Sequence, residues 1–264
     1  MNNTFSAKRF NLLFKKTILE RPMQLMGLSG LSLVLVFFTY VICKTLSGFD
    51  TAQNASFALG LIGGGCFLAS FVYGYFSSNA MGSSYLTLPA SHFEKWLCGI
   101  LLTGILYVAI FLLFFRLMDT VFVELYHKSL DVNGPFYKQF YEQVQIFPFN
   151  EFVAKNVIVM FVNFAGAMLV GSLYFNKLSF IKVALIIAAF WFGAFLLNLM
   201  IAKMMMEHIG SAFPYYLVFI DENRLTGRIE LPEYTAGIVS ILVQFVVPSI
   251  LWILAFVRLK EKEF

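Results

Sequence analysis

The residues to consider first are those whose types could support catalysis. Gly27-Leu28-Ser29-Gly30 has the form of an intramembrane serine protease motif, but that chemistry also needs a histidine base within the membrane. The three histidines, His92, His127 and His208, lie in predicted loops or at the ends of apolar stretches. Helix packing therefore explains the motif better, and we predict no catalytic residue on this chain.

Metal and nucleotide chemistry also lack their usual motifs. The sequence contains no HExxH and no GxxxxGK[ST] phosphate loop. Cys43, Cys66 and Cys98 stand apart, without the spacing of metal ligands. We therefore predict that the chain is not an enzyme and itself binds no metal or cofactor, so that any energy source must come from elsewhere.

A few polar residues interrupt long apolar stretches. Asn163, Asn198 and Gln244 are the central ones. Each could contact a substrate on a pathway, but an interhelical hydrogen bond is the commoner role of such residues. Ionisable residues are almost absent from these stretches, which disfavours an ion-coupled carrier and a membrane-embedded enzyme.

Small residues mark one face of the second apolar stretch. Gly60 and Gly64 lie four residues apart, and Gly63 and Gly65 widen the small surface. Such a surface lets another helix approach closely. It fits packing within one bundle as well as contact with a second membrane subunit.

The elements that position these residues follow from the composition. Hydrophobic residues make up 59% of the 264 positions and charged residues 13%, with a mean hydropathy of +0.78. This balance argues against a water-soluble fold. The net charge of +4 indicates no nucleic-acid partner, because the placement of Lys and Arg among the loops carries more information in a membrane protein.

Six apolar stretches are each long enough to cross a hydrocarbon core about 30 Å thick. They lack the short alternating pattern of barrel strands. We predict an all-α polytopic protein of the lipid bilayer, with residues 1–264 forming one transmembrane domain. The six predicted spans cover about residues 25–42, 55–76, 97–118, 152–175, 183–201 and 235–257.

Lys and Arg are distributed unequally between the two sets of loops. The side of the N-terminus carries 11 of the 19, and the other eight are spread over longer segments. The positive-inside rule therefore predicts that both termini are cytoplasmic, in a cell membrane that we expect to be the prokaryotic cytoplasmic membrane. Residues 119–151 and 202–234 would face outside. We expect a short amphipathic helix in the first of these segments and a solvated turn, within a hairpin or at a substrate gate, in the second.

Residues 5–19 combine basic and apolar positions at helical spacing. This pattern predicts an N-terminal amphipathic helix in the membrane interface, ending before Pro22. A basic flank that only orients the first span is a compatible alternative. After the second span, Ser91 and Glu94 have the spacing of a capping box, which predicts a helix that starts near His92 and runs into the third span.

One short segment resembles a part of type-two ATP-binding-cassette exporter permeases. It is Leu88-Pro89-Ala90-Ser91-His92, followed by Lys95 and a new span. In that family the segment reads "LP-small-Ser-Arg, then Lys" between the second and third spans. The resemblance extends to the basic N-terminal helix, the six spans and the cytoplasmic termini. His92 departs from the family's Arg, and the long loop between the third and fourth spans is also unusual.

The resemblance implies a function for this chain. It would be the permease subunit of an exporter, powered by a separate ATPase subunit that holds ATP and Mg, and it would pair with a second permease of the same or another type. The docking loop for the ATPase would then comprise Leu88, Pro89, Ala90, Ser91, His92 and Lys95. A Phe-rich bundle suits an apolar or amphipathic substrate moved by alternating access. The alternatives are a non-transporting assembly or sensory subunit and, less favoured, an intramembrane enzyme.

Overall fold

The computed structural model describes residues 5–20, 22–77, 79–175, 178–205, 211–212, 217–222, 225–230 and 232–262. Within these ranges, six helices are long and apolar enough to cross a membrane, and we number them span 1 to span 6. This confirms the predicted number of spans and indicates a multi-pass membrane protein. The spans are Leu25–Ser47, Phe49–Val72, His92–Ser129, Phe152–Tyr174, Ser179–Met204 and Gly237–Lys260.

The first two spans are longer than predicted, and a single residue separates them in the sequence. The helix that contains span 1 begins at Pro22, where a proline costs little because the first turn needs no amide donor. It ends at Ser47, and the next helix begins at Phe49. Gly48 joins them with a φ of 92°, a left-handed conformation that favours glycine. The polar residues between the two apolar stretches therefore extend the helices instead of forming a loop.

The shorter elements lie outside the spans. An N-terminal helix covers Ala7–Glu20, close to the predicted 5–19, and two further helices cover Asn79–Leu86 and Tyr137–Gln143. The segment before span 6 contains an antiparallel sheet. Its strands are β1 (Ser211–Ala212), β2 (Leu217–Glu222) and β3 (Leu225–Glu230); they pair in the order β1-β2-β3, and β2 and β3 form a hairpin. The tip of the predicted solvated turn, residues 223–224, lies outside the described residues.

The bundle has two ends. The terminal end contains the N-terminal helix, the connection between spans 2 and 3, and the C-terminal tail. In that tail, Lys262 Nζ donates to the Leu173 carbonyl, near the end of span 4, at 2.9 Å. Burial and the neighbouring Arg258 lower the pKa of Lys262. The loop end contains residues 130–151 and the sheet. The predicted cytoplasmic position of the terminal end stays a prediction.

Spans 2 and 4 form the centre of the bundle. In the most apolar stretch of each span, the buried fraction of the residues is 56% in span 2 and 50% in span 4. It is only 17% in span 1, 6% in span 5 and 11% in span 6. Toward the loop end, the ring of Phe57 lies within 5.8 Å of four other phenylalanine rings. These rings belong to Phe111, Phe115, Phe147 and Phe149.

Three spans contain a π-helical turn, at Leu59–Gly64, Leu101–Leu106 and Leu242–Val246. Such turns interrupt the regular pattern of backbone hydrogen bonds. Side chains of neighbouring helices donate to a carbonyl in two of them. Tyr107 Oη donates to the Gly60 carbonyl at 2.6 Å, and Asn163 Nδ2 donates to the Val243 carbonyl at 2.9 Å.

Candidate functional site

The segment with the predicted docking residues folds into a short helix and a tight turn. The helix Asn79–Leu86 ends where the Thr87 amide donates to the Ser83 carbonyl at 3.0 Å. Beyond it, the Ala90 amide donates to the Leu88 carbonyl at 2.7 Å, so that the chain bends sharply at Pro89. Pro89 is exposed at the tip of this turn. Because proline has no N–H group, the turn leaves no unpaired backbone donor at this position.

The predicted capping box is confirmed. Ser91 has an extended backbone, and its hydroxyl accepts from the Glu94 amide at 3.2 Å. The Glu94 carboxylate accepts in return from the Ser91 amide at 2.8 Å. The helix of span 3 therefore begins at His92, where the capping box predicts a helix start, and it continues to Ser129.

Glu94 also fixes the N-terminal helix to span 3. Its side chain is fully buried, and Oε1 accepts from the Ser6 amide at 2.8 Å and from Arg9 Nη2 at 3.1 Å. A buried carboxylate is tolerated only when hydrogen bonds and opposite charge compensate for its lost hydration. These contacts join two segments 85 residues or more apart in sequence.

Lys95 has a corresponding role toward the helix Asn79–Leu86. Its side chain is fully buried, and Nζ donates to the Leu86 carbonyl at 2.9 Å, at the end of that helix, where a cation is favourable. The ammonium lies 5.6 Å from the centroid of the Tyr85 ring, which stacks on Tyr75 at 4.5 Å. Burial raises the pKa of Tyr85 well above its ordinary value, so this phenol stays neutral.

The six predicted docking residues are brought together, but they differ in exposure. Ala90, Ser91 and Lys95 are buried within this chain, and Leu88 and His92 are half-buried. Pro89 is the exposed member of the set. A partner could therefore reach the tip at Pro89 and its exposed neighbours Thr87 and Phe93, whereas Lys95 stabilises the turn from behind.

A buried carboxylate at the loop end was missed by the sequence analysis. Asp119 is fully buried, and its Oδ1 accepts from Tyr40 Oη and Gln53 Nε2, each at 2.8 Å. Its Oδ2 accepts from the Phe147 amide at 2.7 Å, and Gln53 Nε2 also donates to the Gln145 carbonyl at 2.8 Å. Asp119 thus joins spans 1, 2 and 3 to the segment that precedes span 4.

Two further residues of span 3 hold this segment, which we define as residues 144–149. Arg116 Nη1 donates to the Phe147 carbonyl at 3.0 Å, and its guanidinium lies over the Phe149 ring. A ring nitrogen of His127 lies 2.9 Å from the Val144 carbonyl. The helix that contains span 3 continues to Ser129, so residues 119–129, which the sequence analysis assigned to the loop, are helical. The expected short helix of this loop is present at Tyr137–Gln143.

Glycines of span 2 allow close approach within this chain. A Cβ at Gly60 would overlap the Phe111 ring, and one at Gly64 would overlap the Tyr107 hydroxyl. Gly65 similarly faces Phe161 of span 4. Gly63 is exposed, and an added Cβ there meets only an ordinary contact. Gly60, Gly64 and Gly65 thus serve packing of the bundle, while Gly63 lies on its surface.

The three polar residues within spans lie on spans 4, 5 and 6 and differ in their burial and contacts. Asn163 Nδ2 donates to the Val159 carbonyl of its own helix and to the Val243 carbonyl of span 6. The second bond is an interhelical hydrogen bond, which is one of the two roles that the sequence suggested. Its Oδ1 is buried and has no hydrogen-bond partner among the described residues. Gln244 is exposed and donates to the Ser240 hydroxyl of the same helix at 2.8 Å. Asn198 is half-buried in span 5.

Comparisons with known proteins return no relative. No family model, curated protein or solved structure matches the chain. Within the described ranges, no group of three or more His, Cys, Asp or Glu is arranged to hold a metal ion. The resemblance to exporter permeases therefore rests on the sequence alone, through the residues from Leu88 to Lys95 and the predicted topology.

Proposed function

We propose that the protein is the membrane-spanning permease subunit of an ATP-binding-cassette exporter, working by alternating access with a separate ATPase subunit. The observation that carries this proposal is the rigid attachment of the Pro89 turn to the start of span 3. Glu94 closes the capping box, and Lys95 holds the end of the preceding helix. A force on the exposed tip is therefore passed to the span.

Span 3 links that turn to the other end of the bundle. Asp119 lies 25 residues after Glu94 in the same helix, which is about 38 Å at a rise of about 1.5 Å per residue. At that distance Asp119 and Arg116 hold residues 144–149 over the phenylalanine cluster. In this proposal, ATP binding on the partner shifts span 3, and the loop-end segment opens or closes the path.

The proposal places the terminal end in the cytoplasm of a prokaryotic cell and includes a second permease. The weak burial of spans 5 and 6 supports room for lipid or a further subunit beside them. We do not carry over any ion pair of the family's Arg, because this chain has the half-buried His92 at that position. We therefore assign the contact with the ATPase to Pro89 and its exposed neighbours.

Photo-crosslinking in native membranes tests the docking role. A photoreactive residue at position 89 should form an adduct with a subunit that contains a phosphate loop, identified by mass spectrometry. The control carries the same residue at Val132, which is 71% exposed at the loop end, and should give no such adduct. Adducts at position 89 with lipid alone, in membranes that contain such subunits, would count against the proposal and favour a non-transporting subunit.

A second experiment tests the transmission along span 3. Lys95→Met removes the bond to the Leu86 carbonyl, and amide hydrogen exchange is then measured separately over residues 79–90 and 144–149. Coupled sites in proteins typically influence each other about fivefold or more. We expect a change of that size at residues 144–149. Faster exchange confined to residues 79–90 would show that the two ends are independent.

A further inference from the structure

The sheet at the loop end has one regular edge strand. The strand β3 pairs with β2 in an unbroken antiparallel register that runs from Glu222 with Leu225 to Leu217 with Glu230. β2 has a neighbour on each side, β1 and β3. On the other side of β3, no strand pairs with it within the described ranges. Backbone N–H and C=O groups along that side can therefore pair with a further strand.

This edge lacks the features that usually prevent the addition of a strand. Sheet edges are commonly protected by a bulge, by a proline within the strand or by a covering element. β3 contains no proline, and its register with β2 has no bulge. Gly227 and Ile229 lie on one face of β3, and both are exposed. A Cβ at Gly227 would meet nothing within 4 Å among the described residues, so this face is open as well.

Two opposite charges flank the exposed Ile229 in this strand. Arg228 precedes it and Glu230 follows it. Across the β2–β3 pair, their register positions are opposite Phe219 and Leu217, which carry no charge. Opposite charges that face each other across two antiparallel strands stabilise the pair, and like charges destabilise it. A strand added at the outer edge of β3 would therefore pair best if it carried the reverse order of charges.

A second copy of β3 has that order. When two β3 strands pair antiparallel with Ile229 opposite Ile229, Arg228 of each copy lies opposite Glu230 of the other. Both charge pairs then form in one two-fold symmetric contact, the usual arrangement of homodimers. A register centred on Arg228 or on Glu230 would instead place like charges opposite each other. The charges thus select a single register of self-pairing.

We propose that the outer edge of β3 binds β3 of a second copy of this chain, in the antiparallel register centred on Ile229. Copies inserted in the same orientation present this sheet at the same end of the bundle, between spans 5 and 6, so the two edges lie at the same height. The contact needs only the sheet and a second copy. It therefore does not rest on the proposed export function.

Disulfide formation in native membranes tests the register. Ile229→Cys should give a covalent dimer of the full chain under mild oxidation. In the proposed register the two Cα atoms at position 229 are about 5 Å apart, below the limit of about 7 Å for a disulfide. The wild type, which contains Cys43, Cys66 and Cys98, is oxidised in parallel and should give no such dimer.

The matched control is Gly227→Cys, on the same exposed face of the same strand. In the proposed register the two residues 227 are four positions apart, which is about 13 Å along the strands and too far for a disulfide. Gly227→Cys should therefore remain monomeric on denaturing gels. Equal dimer yields at positions 227 and 229, or no dimer at position 229, would overturn the proposal.

Charge reversal tests the contact by a separate route. Energy transfer between fluorophore-labelled full chains in liposomes gives the dissociation constant of the dimer. Arg228→Glu alone and Glu230→Arg alone each turn both charge pairs into like-charge pairs, and each should raise this constant about fivefold or more. The double variant Arg228→Glu/Glu230→Arg restores both pairs and should return to within about twofold of the wild type. A double variant as weak as the single ones, or single variants that dimerise like the wild type, would refute pairing through β3.

Discussion

Replacing Asp119 by asparagine should release residues 144–149 from the bundle. The Phe147 amide donates to Oδ2 of this buried carboxylate at 2.7 Å. In Asp119→Asn, we expect the remaining oxygen to stay with the two donors Tyr40 and Gln53, so the new NH₂ group faces the Phe147 amide, which loses its acceptor. A hydrogen bond to a charged group contributes about 1.5–3 kcal/mol. The equilibrium for local opening of the segment should therefore rise by about 10- to 150-fold.

Amide hydrogen exchange measures that opening directly. The full chain in nanodiscs is exchanged and digested, and uptake is followed in peptides that cover residues 144–149. Asp131→Asn is the matched control, because Asp131 is exposed in the same connection, where its carboxylate accepts a local bond from the Asn133 amide. An unchanged exchange rate at Phe147 in Asp119→Asn would refute the assignment of Asp119 as the anchor of this segment.

Two further pairs of variants test packing within the bundle by thermal unfolding in detergent. Gly64→Ala should destabilise the protein by about 1–3 kcal/mol, since the added Cβ overlaps the Tyr107 hydroxyl. Gly63→Ala should keep or slightly raise the midpoint, because its Cβ meets no clash and alanine restricts the unfolded chain; equal midpoints of the two variants would contradict this. Asn163→Leu should cost about 0.6–1.7 kcal/mol through loss of the bond to span 6. Gln244→Leu, which changes an exposed side chain, should have a smaller effect, and the reverse order would refute the interhelical role.

The features that the sequence predicted are those with a local cause. A span is recognised by the length and hydropathy of one continuous stretch, and all six were found in this way. The capping box depends on Ser91 and Glu94, three residues apart, and their reciprocal bonds fix the start of span 3 at His92. No information from distant parts of the chain was needed for either.

The features that were missed depend on distant residues. Asp119 was taken as the start of a loop because a carboxylate normally ends an apolar stretch. Its donors Tyr40 and Gln53 lie 79 and 66 residues away, on spans 1 and 2. A periodic pattern cannot indicate such a site. The nearest signal was the continuation of large apolar residues after Asp119, at Val121 and Leu125, at helical spacing.

The buried charges of span 3 also explain how the parts outside the membrane are placed. Apolar packing discriminates poorly between positions at a lipid boundary, because lipid tails are as apolar as the side chains that they replace. A buried charge has few acceptable partners, so it specifies one arrangement at the risk of a large penalty when it is unpaired. Glu94 binds the N-terminal helix, Lys95 the helix Asn79–Leu86, and Asp119 the segment 144–149. Span 3 is therefore the element that contacts all three of these segments.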